Sequence, residues 1–257
     1  MLIVLSPAKR LDFSPPDLDV PMTDRRCAQE TAELAKVTRK LSRADLRRLM
    51  SISDKLADLN HARFQAFDNE TTKGALQAVF AFAGDVYDGL GARTLNAADL
   101  AWAQDHLRIL SGFYGLLRPL DSIQPYRLEM GVRLKTKRGG SLYDFWGERI
   151  SERLNADAEA LAERTLVNLA SQEYFGAVDA RALKLPVVTP HFKESKDGEA
   201  RIISFFAKKA RGAMARFAIE NRIEKAEGLK AFDRDGYRFD KAASTDTDWI
   251  FIRSGNS

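Results

Sequence analysis

The 257-residue sequence has few of the residues that build disulfide frameworks and metal centres. Its one cysteine, Cys27, excludes an internal disulfide and fits a reducing compartment. The three histidines, His61, His106 and His191, are too far apart in sequence to form a local zinc motif. These absences predict a cytoplasmic protein that holds no stable metal and no cofactor.

Long apolar runs are also absent from the sequence. No segment approaches about 18 uninterrupted apolar residues, which is the length that a helix needs to cross a bilayer. The apolar run at residues 1–5 ends at Ser6 and Pro7 and is too short for the core of a secretory signal. We therefore expect no membrane partner.

The net charge of +4 is too small to indicate a partner, but the charges are unevenly distributed. Residues 107–138 carry seven Lys/Arg against two Asp/Glu, and residues 201–222 carry six against one, so each block has a net charge of +5. If the fold brings these blocks together, they form a basic cleft suited to a polyanion. If it keeps them apart, each block is an ordinary solvated surface.

Hydrophobic patterning predicts a mixed α/β (α+β) fold in a single domain, residues 1–257. Helical periodicity dominates a lobe at about 25–110, and further helices are predicted at 145–163 and 208–222. Within the lobe, the predicted helices include 53–66, 73–82 and 97–110. Apolar or alternating runs predict strands at 2–5, 126–134, 166–170, 187–192, 200–206, 237–240 and 249–253. Because the chain begins and ends with strands, we expect the first strand to join a mixed sheet formed by the C-terminal half, with the helical lobe packed on it.

The segment LMSISDKLA at 49–57 is similar to the L-P-G-I-G-x-K-x-A pattern of DNA-binding helix-hairpin-helix motifs. The matching positions are Leu49, Ile52, Lys55 and Ala57. In this pattern the start of the second helix forms an anion site, to which Lys55 adds a positive charge. Ser51 and Ser53 replace the two glycines, and serine adopts positive φ less readily than glycine. An ordinary helix end followed by a new helix capped by Ser53 is therefore the alternative interpretation.

Two other segments supply candidate phosphate contacts. The residues are Lys208, Lys209 and Arg211 in 203–222, and Arg118 and Arg127 in 107–131. Cations in the first turns of a helix oppose its dipole, and a bound anion would offset that repulsion. Arginine can bridge two phosphate oxygens, although Arg118 and Arg127 also alternate with carboxylates that could form ion pairs with them.

Two candidate reactive residues, Lys9 and Glu173, each follow one of the predicted strands. The segment SPAK at 6–9 follows the first strand, and NLASQEYF at 168–175 contains the end of another. If these strands are neighbours, Lys9 and Glu173 lie at one edge of the sheet together with Ser6, Ser171 and Asn168. A lysine and a glutamate together can perform acid–base or Schiff-base chemistry, whereas helix caps and turns explain the other polar residues without chemistry.

Eight segments of the sequence together resemble the YaaA family of bacterial peroxide-stress proteins. They are SPAK, LMSISDKLADLNHARF, FAGDVYDGL, HLRILSGFYGLLRPLD, QPYRLEMG, LYDFWG, NLASQEYF and ISFFAKKARG, and they extend from Leu2 to about Tyr237. The resemblance implies a cytoplasmic protein of the hydrogen peroxide stress response with a mixed α/β fold of unusual topology. It also implies a helix-hairpin-helix-like element at Ser51 to Lys55, a basic cleft that binds DNA, and a role in lowering free iron.

We therefore expect a protein that binds duplex or structured DNA with low sequence specificity and helps to limit iron-dependent damage. The candidate DNA-contacting residues are Lys9, Ser51, Ser53, Lys55, Arg118, Arg127, Lys208, Lys209 and Arg211. The effect on iron is expected to be indirect, because the sequence has no cluster of metal ligands. The alternative is a DNA-repair enzyme of the lyase or glycosylase type in which Lys9 or Glu173 reacts; the family has no established enzymatic reaction.

Overall fold

A mixed sheet of eight strands forms the centre of the computed structural model, which describes residues 1–196 and 199–254, Lys196 by its backbone alone. In chain order the strands are β1 (Leu2–Leu5), β2 (Arg10–Leu11), β3 (Leu76–Gln77), β4 (Phe82–Ala83), β5 (Leu107–Ser111), β6 (Gly115–Leu117), β7 (Ser122–Ile123), β8 (Leu166–Leu169), β9 (Val187–Lys196), β10 (Glu199–Arg201), β11 (Arg238–Asp240) and β12 (Asp248–Ser254). The order in the main sheet is β11-β12-β9-β8-β1-β5-β6, and β10 pairs with β9. Two small ribbons pair β2 with β4 and β3 with β7.

Ten α-helices and three short 3-10 helices lie within the described residues. The α-helices are α1 (Ala28–Thr38), α2 (Arg43–Met50), α3 (Asp54–Ala66), α4 (Ala78–Ala81), α5 (Asp85–Leu90), α6 (Ala97–His106), α7 (Leu142–Trp146), α8 (Arg149–Ala158), α9 (Gln172–Phe175) and α10 (Ser204–Glu220). The 3-10 helices are Ala92–Thr94, Ala226–Ala231 and Arg234–Gly236. In this part of the chain no helix is both long enough and apolar enough to cross a membrane.

Strand β1 lies inside the sheet between β5 and β8 and is parallel to both. All four of its residues are fully buried, and the residues of β5 and β8 are also buried throughout. Because successive side chains of a strand point to opposite faces, this burial means that both faces of the sheet are covered here. The mixed α/β fold is confirmed, and so is the expectation that the first strand joins the sheet of the C-terminal half.

Four of the secondary-structure predictions are wrong. The helix predicted at 73–82 is reduced to the four residues of α4, because the residues on either side of α4 belong to the short strands β3 and β4. The helix predicted at 97–110 ends at His106, because the apolar residues that follow pair with β1 as strand β5. The segment 126–134 alternates between buried and more exposed residues like a strand but belongs to no strand. The strand predicted at 200–206 contains the end of β10 and the beginning of α10. Short apolar runs fit a helix or a strand equally well, and distant pairing partners decide between them.

Helix α10 packs against α5 through two glycines. A Cβ atom at Gly212 would lie 1.7 Å from the carbonyl oxygen of Val86, and one at Gly89 would lie 2.1 Å from the carbonyl oxygen of Lys209. Neither backbone has room for a side chain at these positions. The contact fixes the middle of α10 against α5, the helix whose Tyr87 donates a hydrogen bond to the carbonyl of Ser6 after β1.

We expect Gly212→Ala to destabilise the protein, because the new methyl group would push α5 and α10 apart. Overpacking of this kind lowers the free energy of unfolding by about 1–3 kcal/mol. Gly140→Ala is the matched control, since a Cβ atom there meets nothing within 4 Å. Urea unfolding of both variants measures the difference, and equal stabilities would show that the α5–α10 contact can relax freely.

Candidate nucleic-acid interface

The segments that follow β1 and β8 meet where those two parallel strands end, an edge that we call the carboxyl edge of the sheet. The backbone N–H of Ser171 donates to the hydroxyl of Ser6 at 2.8 Å, and Tyr87 donates its hydroxyl to the Ser6 carbonyl at 3.0 Å. From β1 the chain first forms β5 on one side and later forms β8 on the other side of β1. A position at which the strand order reverses in this way is called a switch point. Ligands of α/β proteins bind at switch points, beyond the carboxyl ends of the strands.

A cleft of about 510 Å³ opens at this edge, between the sheet and the turn that joins α2 to α3. We call it the carboxyl-edge cleft. Its lining residues are Lys9, Arg48, Leu49, Met50, Ser51, Glu129, Gly131, Val132, Arg133 and Glu173. The sequence expectation that Lys9 and Glu173 lie at one edge is confirmed, because both line this cleft.

The charged groups of the cleft include cations and carboxylates. The Nζ atom of Lys9 lies 3.6 Å from Oε1 of Glu129, and the lysine side chain is 67% exposed. Arg127 donates to the same Oε1 atom at 3.0 Å. Glu173 accepts a hydrogen bond from the backbone N–H of Gly131 at 3.0 Å. Arg48, Arg133 and Glu173 are exposed, whereas Glu129 is buried. Arg48 also pairs with Asp45 at 2.5 Å. The cleft therefore has one buried carboxylate on its floor, and solvent reaches its other charged groups.

The turn between α2 and α3 has the feature that the alternative interpretation predicts, a helix end followed by a new helix capped by Ser53. Ser51 ends α2 in the left-handed conformation, with φ of 51°, a position that glycine usually takes. Ile52 is buried, and Ser53 caps α3 by accepting a hydrogen bond from the Leu56 N–H at 3.4 Å. Lys55 is exposed in the first turn of α3. The assignment of this turn as a helix-hairpin-helix motif stays a prediction.

The structure separates the two candidate arginines of the block 107–138, Arg118 and Arg127. Arg127 lies beside the cleft, on a small cavity that it shares with Lys9 and Glu129. Arg118 follows β6, which runs antiparallel to β5, and therefore lies at the opposite, amino edge of the sheet. There it pairs with the fully buried Asp121 at 2.9 Å. Arg118 therefore forms the ion pair that the sequence analysis gave as the alternative to a phosphate contact.

The basic residues of α10 do not line the carboxyl-edge cleft. Lys208 and Lys209 are exposed, and Arg211 is partly buried, so that desolvation lowers the pKa of its guanidinium. Helix α10 packs on α5, α6 and the strands β1, β8 and β9. The cleft therefore takes its cations from residues 9, 48 and 133, and the two +5 blocks do not form it together.

Sequence reasoning missed two cations of the cleft and an exposed apolar patch. Arg48 directly precedes the hairpin pattern, and Arg133 belongs to the first basic block, so both had a signal in the sequence. The patch lies at the beginning of α10, and its members are Ile202, Ile203, Phe205 and Phe206. The sequence analysis predicts a strand at 200–206, and that prediction did not indicate that these apolar side chains are exposed.

Cys27 and two of the three histidines serve packing and pairing. Cys27 is buried, and burial raises the pKa of its thiol. His106 stacks on Trp102, and Nε2 of His191 lies 2.7 Å from Oδ1 of Asp248. Over residues 1–196 and 199–254, no three His, Cys, Asp or Glu side chains form a group that could hold a metal ion.

A second cavity, of about 550 Å³, lies at the amino edge and is built around a buried ion pair. Nε of Arg108 lies 2.5 Å from Oδ2 of Asp157, and both side chains are 4% exposed. Arg26 pairs with the other oxygen of Asp157. Burial is the main cause that lowers the pKa of Arg108, to about 9. Arg26 and Arg108 share a buried carboxylate, whereas at the carboxyl-edge cleft Arg48 pairs with the carboxylate of Asp45, which is 39% exposed. The carboxyl-edge cleft is therefore the stronger candidate for binding an anion.

We expect Asp157→Asn to destabilise the protein strongly, because it leaves the buried guanidinium of Arg108 without its counter-charge. Breaking a buried pair by removing one partner reduces stability by about 3–5 kcal/mol. Glu199→Gln removes a carboxylate from the exposed pair with Arg201 and should change stability little. Thermal unfolding of both variants is the measurement, and a small loss in Asp157→Asn would mean that water reaches Arg108.

Together, the fold and the cleft define a mixed α/β protein with a polar binding cleft at the carboxyl edge of its sheet. A family model described as "Peroxide stress protein YaaA" matches residues 1–243. The chain is 66% identical to a UPF0246 protein of Caulobacter vibrioides over 253 residues, which cover 98% of this chain and 99% of the relative. It is 56% identical to a UPF0246 protein of Cereibacter sphaeroides over 259 residues, with 99% and 100% coverage. The chain belongs to the YaaA family of peroxide stress proteins.

Proposed function

We propose that this protein binds DNA through the carboxyl-edge cleft during the response to hydrogen peroxide in the cytoplasm. The observation that carries the proposal is the set of exposed cations, Lys9, Arg48 and Arg133, around one cleft beside the α2–α3 turn. Lysine and arginine contacts to phosphates position a protein on DNA without reading its sequence. Binding of duplex or structured DNA with low sequence specificity follows from this chemistry.

The turn between α2 and α3 supports phosphate binding at the rim of the cleft. The start of α3 offers backbone N–H groups, and Lys55 adds a charge in its first turn. Asp54 at the same turn opposes an anion, but its carboxylate pairs with Arg47 at 3.1 Å. Ser51, which lines the cleft, therefore remains in the proposed interface together with Ser53 and Lys55 at the start of α3.

Limiting iron-dependent damage is proposed as a consequence of DNA binding. Cations that neutralise phosphates release the counterions condensed on DNA. Iron ions held along the backbone belong to that counterion population, and their release moves peroxide chemistry away from the DNA. This effect needs no iron site on the protein, which agrees with the separate positions of its histidines and cysteine.

The second candidate function is a DNA-repair enzyme, which is favoured by the presence of Lys9 and Glu173 in the same cleft. A lyase would use the Lys9 amine to attack the aldehyde of an abasic sugar, and water would leave as the Schiff base forms. A carboxylate would then take the C2′ proton as the 3′ phosphate leaves, which cleaves the strand. Incubation with duplexes that contain an abasic site decides between the functions. Strand cleavage that is lost in Lys9→Gln would establish the enzyme, and intact strands would leave binding alone.

We expect duplex affinity to fall steeply with salt, and Arg133→Ala to weaken binding and reduce the salt slope by about 1. Each phosphate contact contributes about one unit to the slope of log K against log salt. Lys241→Ala is the matched control, because this exposed residue follows β11 at the amino edge. Fluorescence anisotropy at several salt concentrations is the measurement. Equal slopes in the two variants, or an affinity independent of salt, would contradict the proposal.

A further inference from the structure

Glu129 on the floor of the carboxyl-edge cleft has a carboxylate oxygen without a hydrogen-bond partner. The residue is only 8% exposed. Its Oε1 atom accepts from Arg127 and lies near Lys9, but the buried Oε2 atom has no partner among the described residues. Buried polar atoms are almost always hydrogen-bonded, and a carboxylate oxygen is a strong acceptor. The orphaned oxygen therefore indicates a donor that arrives with a ligand.

The surroundings of Glu129 have room for such a donor. Lys9 and Glu129 line both the cleft of about 510 Å³ and an adjoining cavity of about 10 Å³, which is also lined by Tyr126 and Tyr174. The small cavity admits one group of the size of a water molecule or an amino group. The Lys9 side chain is 67% exposed, so it can turn away from the cavity without disturbing the core.

The charges around the cleft define the rest of the ligand. Exposed cations at Arg48 and Arg133 suit an anionic group, whereas the buried carboxylate of Glu129 on the floor suits an N–H donor. A nucleotide has both, with a phosphate at one end and an amino group on the base at the other. The position at the switch point between β1 and β8 is where α/β proteins bind such ligands.

We propose that the carboxyl-edge cleft is a nucleotide subsite in which a base amino group donates to Oε2 of Glu129 while the phosphate lies against Arg48 and Arg133. This inference rests on the proposed function where the nucleotide is an unpaired residue of a DNA strand. A free mononucleotide would offer the same chemistry. Thymine has no amino group, and its N–H lies between two carbonyl oxygens that the carboxylate would repel, so thymine should bind worst.

Calorimetric titration of the unmodified protein with dCMP, dTMP and inorganic phosphate tests the subsite without any variant. We expect dCMP to bind at least tenfold more tightly than dTMP or phosphate. Glu129→Gln should bring dCMP to the level of dTMP, because the amide turns a donor toward the base amino group. Glu199→Gln, on the exposed β10 strand, is the matched control and should keep the preference. Equal binding of all three ligands by the unmodified protein would overturn the subsite and leave a water molecule as the partner of Glu129.

A second arm distinguishes a nucleotide of DNA from a free mononucleotide. The protein is titrated with a perfect duplex, a duplex with one bulged cytosine and a duplex with one bulged thymine. A tighter complex with the bulged cytosine that disappears in Glu129→Gln assigns the subsite to unpaired DNA. Binding of dCMP without any bulge preference assigns it to the free nucleotide. Affinity for the perfect duplex tests the proposed DNA binding separately, so the subsite can fail while DNA binding stands.

Discussion

The burial of β1 between β5 and β8 is the constraint on which the remaining structure depends. Its four apolar residues pair in parallel with strands that lie more than 100 residues further along the chain. Because the three strands point the same way, the segments after β1 and β8 leave the sheet at the same edge. Ser6, Lys9, Ser171 and Glu173 meet there for this reason alone.

The two edges of the sheet use their charges differently. At the amino edge the guanidinium groups of Arg26, Arg108 and Arg118 are occupied by buried carboxylates, and they hold the structure together. At the carboxyl edge the cations at the rim of the cleft are exposed, Arg48 within an ion pair with Asp45, and an oxygen of Glu129 on its floor has no hydrogen-bond partner among the described residues. The two edges therefore differ in how their cations are paired, and the small net charge of the chain conceals this difference.

Much of the fold follows from short patterns in the sequence, but the contents of the cleft do not. The run LIVL and the strand at 166–169 are predicted correctly, and the neighbouring position of the two strands brings Lys9 close to Glu173. Strand β5 is missed because an apolar run becomes a strand only through its partner β1. The two basic blocks are not joined in the cleft, because the packing of α10 on α5 is fixed by the backbone contacts of Gly89 and Gly212, which charge counting does not detect.

Membership of the YaaA family supports the connection to peroxide stress, and the cleft supplies a physical basis for the proposed DNA binding. The most direct test of that binding site is amide hydrogen exchange of the protein with and without duplex DNA. We predict slower exchange in residues 48–55 and 127–133, on the two sides of the carboxyl-edge cleft, and unchanged exchange at the amino edge around Arg108 and Arg118. Protection confined to the amino edge or to α10 would contradict the site.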